Sequence, residues 1–529
     1  MSTAAARGIS WDPYNAELTR NPYPMYKRLR EEMPLYYNEE HDFYAVSRFA
    51  DIESTLRDKE LFSSRHGDIL EFIKARSVMP DSVFIHQDPP KHTAYRALMQ
   101  RIITPKRMAA VEADIRALCA RSLDPLVGGD RLDFIANLGA EMPMRAVSML
   151  LGIPEKDQTA IRESVDARMR TEAGKPIDLA NQQALQQEAL AGFEEYISWR
   201  EKNPSDDMMT ELIQSEFKDP TGVTRKLTRD EITNIVNVIA GAGNETTNRL
   251  IGWMGKTLSE HPDQRRDVAK NLALVPQTVE EVLRFEPPGP FLAREVMRDI
   301  ELHGMKVPKG AVMMLLVAAG NRDERRFVNG DTFNIHREAR PHMTFGQGIH
   351  VCIGAPLARL EGRVALEEIL KRFPDWEVDL DHAVLSSTSS VRGWDSLPAW
   401  IGSKPKNATY SVPKAAEPAP APAPAAAASA EVTLEGTWNV VVKGPTGPQP
   451  ATLVLERSGD KITGAQTGQG STSPIADFKK DGNAIYWCNH ITKPMKMKVE
   501  FKGELSGNTI TGKAKAGFMG SYPFTATKA

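Results

Sequence analysis

The segment Phe345-Gly-Gln-Gly-Ile-His-Val-Cys-Ile-Gly354 sets one cysteine in a glycine-rich loop, directly ahead of Ala355-Pro-Leu-Ala-Arg-Leu-Glu361, which has helical character. Glycine tolerates positive φ, so such a loop can turn tightly and bring its backbone close to a flat ligand. A cysteine at a helix start meets the positive end of the helix dipole and unpaired amide hydrogens, which favour thiolate over thiol. Gly354 lets the backbone hug the sulfur, and Phe345 can shield it from water. A lone cysteine is most often a buried structural thiol. Here six fixed residues at set offsets argue against that reading.

Three upstream segments add chemistry. Ala242-Gly-Asn-Glu-Thr-Thr247 interrupts a long apolar helical pattern starting near Leu227. Gly243 weakens that helix, and Glu245, Thr246 and Thr247 can bond to neighbouring carbonyls and distort it. Val236, Val238, Ile239, Leu250 and Ile251 mark the helix as largely buried, and a buried acid and alcohol need partners or a purpose. Glu280-Glu-Val-Leu-Arg-Phe-Glu-Pro-Pro288 spaces Glu281 and Arg284 one helical turn apart, as an i,i+3 pair. Asp88-Pro-Pro-Lys-His-Thr-Ala-Tyr-Arg96 places His92 and Arg96 on one face of a helix that starts after prolines, an arrangement suited to an anion and equally to a solvated basic turn.

Together these segments resemble the cytochrome P-450 superfamily, the haem-thiolate monooxygenases, over roughly residues 10–402 and in the family's motif order. The resemblance implies haem b with Cys352 as its proximal iron ligand, where a thiolate favours O–O cleavage. It gives Thr246 the support of iron-bound peroxide and Glu245 the relay of protons. His92, Arg96, Arg294 (ahead of the strand at Ile300) and His350 match the haem-propionate positions, with His350 replacing a more frequent arginine. Glu281 and Arg284, with Arg337 as third member, match a buried structural brace. Val238, Ala242, Phe291 and Leu292 match substrate-pocket walls, and Phe84 a cap over the pocket.

Composition fits that picture. The chain has 529 residues, 41% hydrophobic and 26% charged, which excludes wholesale disorder. A net charge of −3 excludes the broad basic field of a nucleic-acid binder. Three cysteines in so long a chain exclude a disulfide framework. With no apolar signal segment and no run long enough to span a membrane, a cytoplasmic protein is expected.

Helical periodicity over Met108–Leu126, Leu185–Glu201, Leu227–Leu258 and Val364–Phe373, broken by short strand-like runs at 43–46, 300–302 and 311–316, predicts a mainly α body with small β-sheets at residues 1–403. Residues 404–430 alternate Pro and Ala, which cannot build a core and favour an extended tether of ~3.1 Å per residue. Residues 431–529 alternate apolar and polar positions between glycine turns, predicting a small all-β barrel. Its opening Gly436-Thr-Trp438 resembles calycin-like proteins such as lipocalins. The formal charges are about −9, +2 and +4 for body, tether and tail.

The implied activity is hydroxylation of a hydrophobic small molecule by O₂ with two electrons from NAD(P)H. The tail holds only Cys488 and no βαβ glycine fingerprint, so it is no iron–sulfur or flavin reductase. Separate ferredoxin and ferredoxin reductase partners are expected, with Arg101, Lys106, Arg359 and Arg363 as candidate docking cations. A peroxide-using haem-thiolate enzyme is the first alternative, disfavoured by the acid–alcohol pair. A non-catalytic haem-dependent carrier or sensor is the second.

Overall fold

The computed structural model describes residues 8–155, 158, 161–162, 165, 175–387, 390–401, 434–444, 447–458, 461–468, 471–491, 497–516 and 521–528. They divide into two compact units, a helical body and a β-barrel. The tether at 404–430 lies outside the described residues, as do both ends flanking it.

The body is organised around the 32-residue helix Arg229–Glu260. A capping box starts it: Thr228 Oγ1 accepts from the Glu231 amide at 3.3 Å while Glu231 Oε2 accepts from the Thr228 amide at 2.7 Å. Pro262 follows its end. The expected distortion at 242–247 is absent, and the helix runs unbroken. Gly243 has a packing reason, because a Cβ there would come within 2.6 Å of Val147 Cγ2 on the neighbouring helix Met142–Leu151. The helix Ala355–Arg372 crosses it in the same way at Gly362, whose Cβ would sit 3.0 Å from Leu250 Cδ2 and 3.1 Å from Val279 Cγ1.

The helix expected over 108–126 is two. Thr104 caps Pro105–Ala110, and Val111 breaks the spiral before Glu112–Leu123 and a short 3₁₀ turn at Asp124–Leu126. Pro105 and the acidic pair Glu112 and Asp114 each start a helix, which apolar periodicity alone does not register.

A five-stranded sheet runs in the order Leu35–Asn38, Phe43–Val46, Val312–Leu315, Leu292–Val296, Phe62–Ser63. Only the contact of Val312–Leu315 with Phe43–Val46 is parallel; the other pairings are antiparallel. Arg294 therefore lies inside a strand of its own, opposite Met313, ahead of the strand Ile300–Leu302.

Glu281 and Arg284 are buried on the helix Val275–Phe285 and form a two-pronged pair, Nε to Oε2 and Nη2 to Oε1, both at 2.7 Å. Arg284 Nη1 also donates to the carbonyls of Asn321 and Gly330 at 2.8 Å each, and Arg337 Nε reaches Glu281 Oε1 at 3.2 Å. One carboxylate thus ties this helix to the segment that leads into the cysteine loop.

The second unit is a closed barrel of eight antiparallel strands in sequence order, from Gly436–Gly444 to Ser521–Lys528, closed by pairing of first and last. Three strands, Lys461–Gly468, Ser471–Asp481 and Ser521–Lys528, carry too few apolar residues to stand out in sequence. Trp438, Trp487, Phe501 and Phe524 fill the inside, with Trp487 stacked on Phe501 at 4.6 Å and 2°. Closure leaves no unpaired edge, so a packed core suffices for a unit this small.

Replacing Arg284 by Met leaves the Glu281 charge buried without its bidentate partner and should cost about 3–5 kcal/mol of body stability. Arg337→Met, which removes the longer contact, should cost less. Urea unfolding of the two variants against wild type checks the order.

Candidate active site

The cysteine loop is shaped by two left-handed glycines, Gly346 (φ 70°) and Gly348 (φ 69°). A Cβ on Gly348 would lie 2.6 Å from the Leu56 carbonyl oxygen, so this position has no room for a side chain. The turn closes when the Cys352 amide donates to the Phe345 carbonyl at 2.8 Å. Ala355–Arg372 begins three residues later, and a Cβ on Gly354 would stand 3.8 Å from Cys352 Sγ.

Cys352 is solvent-accessible in this chain. Burial of its sulfur by surrounding protein nonetheless pushes the thiol above its ordinary value, against the opposing pull of the Gly354 and Ala355 amides and of Arg96 and Arg359. The amide donors foreseen from sequence are present, but they do not by themselves make a thiolate. A cation bound at the sulfur would tip that balance towards the thiolate, the metal-binding form.

Four basic side chains converge beside the loop. His92 and Arg96 come from the helix Lys91–Ile102, His350 from the 3₁₀ turn Gly348–His350, and Arg294 from the central sheet. The rings of His92 and His350 lie 4.4 Å apart. Arg96 Nη2 donates to the Val351 carbonyl at 2.7 Å, and Arg294 Nη1 to the Ala293 carbonyl at 2.8 Å.

Burial depresses all four, repulsion from neighbouring cations adds to it at the two histidines, and Asp68 and Asp88 oppose it at Arg294. His92 is held down at about 4, by burial first and then by Arg96, and His350 at about 3, by burial and then by Arg294 and His92. Arg96 and Arg294 are also lowered by burial. His92 Nε2 and Arg96 Nε are buried without a hydrogen-bond partner. Buried donors without acceptors are costly. An anionic guest placed among these four groups would satisfy them, and the carboxylates of a haem have the required charge.

On the helix Arg229–Glu260, Val238, Ala242 and Thr246 follow one another at i,i+4, and all three remain partly or fully accessible among buried neighbours such as Val236, Ala240 and Leu250. This is the accessible stripe of an otherwise buried helix. Thr246 Oγ1 donates to the Ala242 carbonyl at 2.9 Å, which leaves its oxygen free to accept. Glu245 is buried and pinned: Arg249 Nη2 reaches its Oε2 at 2.7 Å, while Arg249 also meets Ser386 Oγ at 3.0 Å and Asp395 Oδ1 at 3.2 Å.

Other residues singled out from sequence are differently placed. Phe84 is buried in the 3₁₀ turn Phe84–His86. Phe291 meets Trp11 edge-on at 5.6 Å in the aromatic core beside the sheet, and Leu292 packs with the apolar cluster around Val46 and Phe62. Among the docking candidates, Arg101 and Lys106 are exposed, with Arg101 Nη2 donating to the Glu216 carbonyl at 2.8 Å. Arg359 and Arg363 are paired with carboxylates of their own chain, Glu280 for the first and Glu112 and Glu367 for the second.

Sequence reasoning passed over Glu361. It is 1% exposed, on the same helix as Arg359, and neither carboxyl oxygen has a well-formed hydrogen bond. Burial raises its carboxyl well above the ordinary value, only partly offset by the Thr247 side chain. Its one sequence signal was a charge in a helix otherwise reading as buried.

With the geometry in place, known proteins can be set beside it. The cytochrome P450 family model matches residues 179–391. Cytochrome P450 130 of Mycobacterium tuberculosis is 33% identical over 396 residues, covering 72% of this chain and 96% of that protein. Cyclomarin C epoxidase CymV of Salinispora arenicola is 30% identical over 387 residues, covering 73% and 97%. The solved structure of cytochrome P450 CYP109Q5 from Chondromyces apiculatus superposes with a TM-score of 0.66 at 32% identity, covering 75% of this chain and 99% of that one. Coverage of the relatives is nearly complete while about a quarter of this chain extends beyond the match. The chain belongs to the cytochrome P450 family of haem-dependent monooxygenases.

Proposed function

We propose that the body binds haem b, that Cys352 would hold its iron and His92, Arg96, Arg294 and His350 its carboxylates, and that it hydroxylates a hydrophobic small molecule. The observation that carries this reading is the cluster of depressed, partly unpartnered basic groups beside an accessible cysteine. Haem b, when bound, supplies the oxygen chemistry: one atom of O₂ enters a C–H bond and the other leaves as water, at the expense of two electrons and two protons.

The chain's own residues do the rest. The Gly354 and Ala355 amides and the Arg96 and Arg359 charges favour a charged Cys352 sulfur, and metal binding overcomes the opposing burial. Val238 and Ala242 offer an apolar wall that excludes water from an apolar guest. The Thr246 hydroxyl, anchored on the Ala242 carbonyl, is positioned to accept one hydrogen bond and pass on a proton. Glu245 can take part in proton delivery only by leaving Arg249, so this ion pair acts as a gate on its carboxylate.

Electrons come from NAD(P)H through a ferredoxin reductase and a ferredoxin. Supporting this, the barrel has one cysteine and neither iron–sulfur nor dinucleotide motifs. Arg101 and Lys106 stay exposed for an acidic donor, whereas Arg359 and Arg363 are engaged internally. The acid–alcohol pair favours O₂ over peroxide as oxidant. Among the described residues no helix is long and apolar enough to cross a membrane. The barrel serves as an auxiliary interaction module; its aromatic-filled interior favours recognition by its outer surface over ligand carriage.

Cys352→Ser should abolish the thiolate-type spectrum of the ferrous carbonyl complex and substrate-dependent oxygen uptake, while removal of residues 412–529 should leave both. A truncated body that cannot hold haem would refute the division proposed here. His92→Leu and Arg96→Leu should each weaken haem retention by about tenfold or more, the worth of one lost charge-assisted hydrogen bond, read by transfer of haem to apomyoglobin. Thr246→Ala should divert electrons from product into hydrogen peroxide, measured as peroxide per NADPH; unchanged coupling would remove Thr246 from the proton path.

A further inference from the structure

Arg359 stands seven residues beyond Cys352, just over one turn into the helix Ala355–Arg372. Its guanidinium edge grips Glu280, Nε to Oε1 at 2.7 Å and Nη2 to Oε2 at 3.0 Å. The same carboxylate lies 3.3 Å from His342 Nε2. Because the Thr344 amide donates to His342 Nδ1 at 3.2 Å, the proton of the neutral ring sits on Nε2, facing Glu280. Burial opposes the Glu280 charge, but His342 and Arg359 hold its carboxyl down at about 2.

The face of the guanidinium is also engaged, with Cζ 4.4 Å from the centroid of the Phe345 ring. His342 approaches that ring at 5.9 Å. The Phe345 carbonyl in turn accepts the Cys352 amide. Glu280, Phe345 and Arg359 come from a helix, the cysteine loop and a second helix, and all three meet at one planar cation. A lysine could supply the charge but neither the two-pronged edge nor the flat face.

We propose that Arg359 is a positioning residue: clamped by Glu280 against Phe345, it holds the cysteine loop in register and sets a fixed positive charge behind the Cys352 sulfur, so that it tunes the reduction of the haem iron instead of docking an electron donor. This rests on the haem-thiolate reading above. A positive charge near the iron favours its reduced state, so loss of that charge makes reduction harder.

The test uses the haem-loaded full chain and four proteins: wild type, Arg359→Met, Arg359→Lys and Arg363→Met. Spectroelectrochemical titration should show Arg359→Met lowering the equilibrium constant for reduction by at least about threefold, ~28 mV for a one-electron couple. Arg359→Lys should keep most of the potential yet lose the thiolate-type ferrous carbonyl band faster than wild type on standing. Arg363→Met, on the same helix but not on Phe345, should match wild type in both. The proposal is overturned if Arg359→Met leaves potential and band lifetime unchanged while more of a [2Fe–2S] ferredoxin is needed for half-maximal reduction, the behaviour of a docking cation. It is also overturned if Arg359→Lys is indistinguishable from wild type in band lifetime. A wild-type chain without the thiolate band would instead sink the haem-thiolate reading itself, an outcome plainly separate from failure of the clamp alone.

Discussion

A folded chain can keep cationic side chains out of water only when something negative meets them. This constraint divides the charged interior of the body into closed and open sets. Glu281, Arg284 and Arg337 form a closed set, with one carboxylate shared by two guanidiniums and the spare donors turned to backbone carbonyls. Glu286 is closed likewise, taking Arg392 Nη1 and the Tyr23 hydroxyl at 2.6 Å each. Such sets brace the fold without asking for a ligand. His92, Arg96, Arg294 and His350 form an open set, in which burial depresses every member and two nitrogens, His92 Nε2 and Arg96 Nε, lack acceptors. Asp68 and Asp88 offset the burial of Arg294 in part, but those two nitrogens still leave room for an anionic guest.

The same contrast clarifies the cysteine. An exposed sulfur at the start of a helix, with amides turned toward it, looks like a ready thiolate, yet the surrounding protein still favours the thiol. A metal ion at the sulfur would supply the charge that the amides do not. Val238, Ala242 and Thr246 form a partly to fully accessible stripe at i,i+4 spacing in the middle of the long helix. Proximal charge and distal alcohol thus come from two helices that pack directly on each other through Gly362 and Leu250.

The barrel follows a separate logic. Its strands pair only with their sequence neighbours until the last returns to the first, so the sheet closes on itself within about a hundred residues. Four aromatic side chains occupy the interior that a ligand-carrying barrel would leave empty. The relatives reported above are covered almost completely, and about a quarter of this chain lies outside each match.

Much of this protein was legible in its residue order. The loop 345–354, the acid–alcohol segment at 242–247 and the pair at 281 and 284 are local, and local motifs with fixed offsets survive without knowledge of the fold. Helical and strand periods likewise come from neighbouring residues, which is why Arg229–Glu260 and the barrel were visible and why the one-residue break at Val111 was not. What only the tertiary structure decided are relations between distant segments. Phe291 and Leu292 are half-buried at the margins of two apolar clusters, a placement that their position after the prolines does not reveal. Glu245 is locked to Arg249, and Arg359 is spent on Glu280 and Phe345. Pairing, burial and mutual repulsion depend on which side chains meet across the fold, and sequence separation carries no information about that distance.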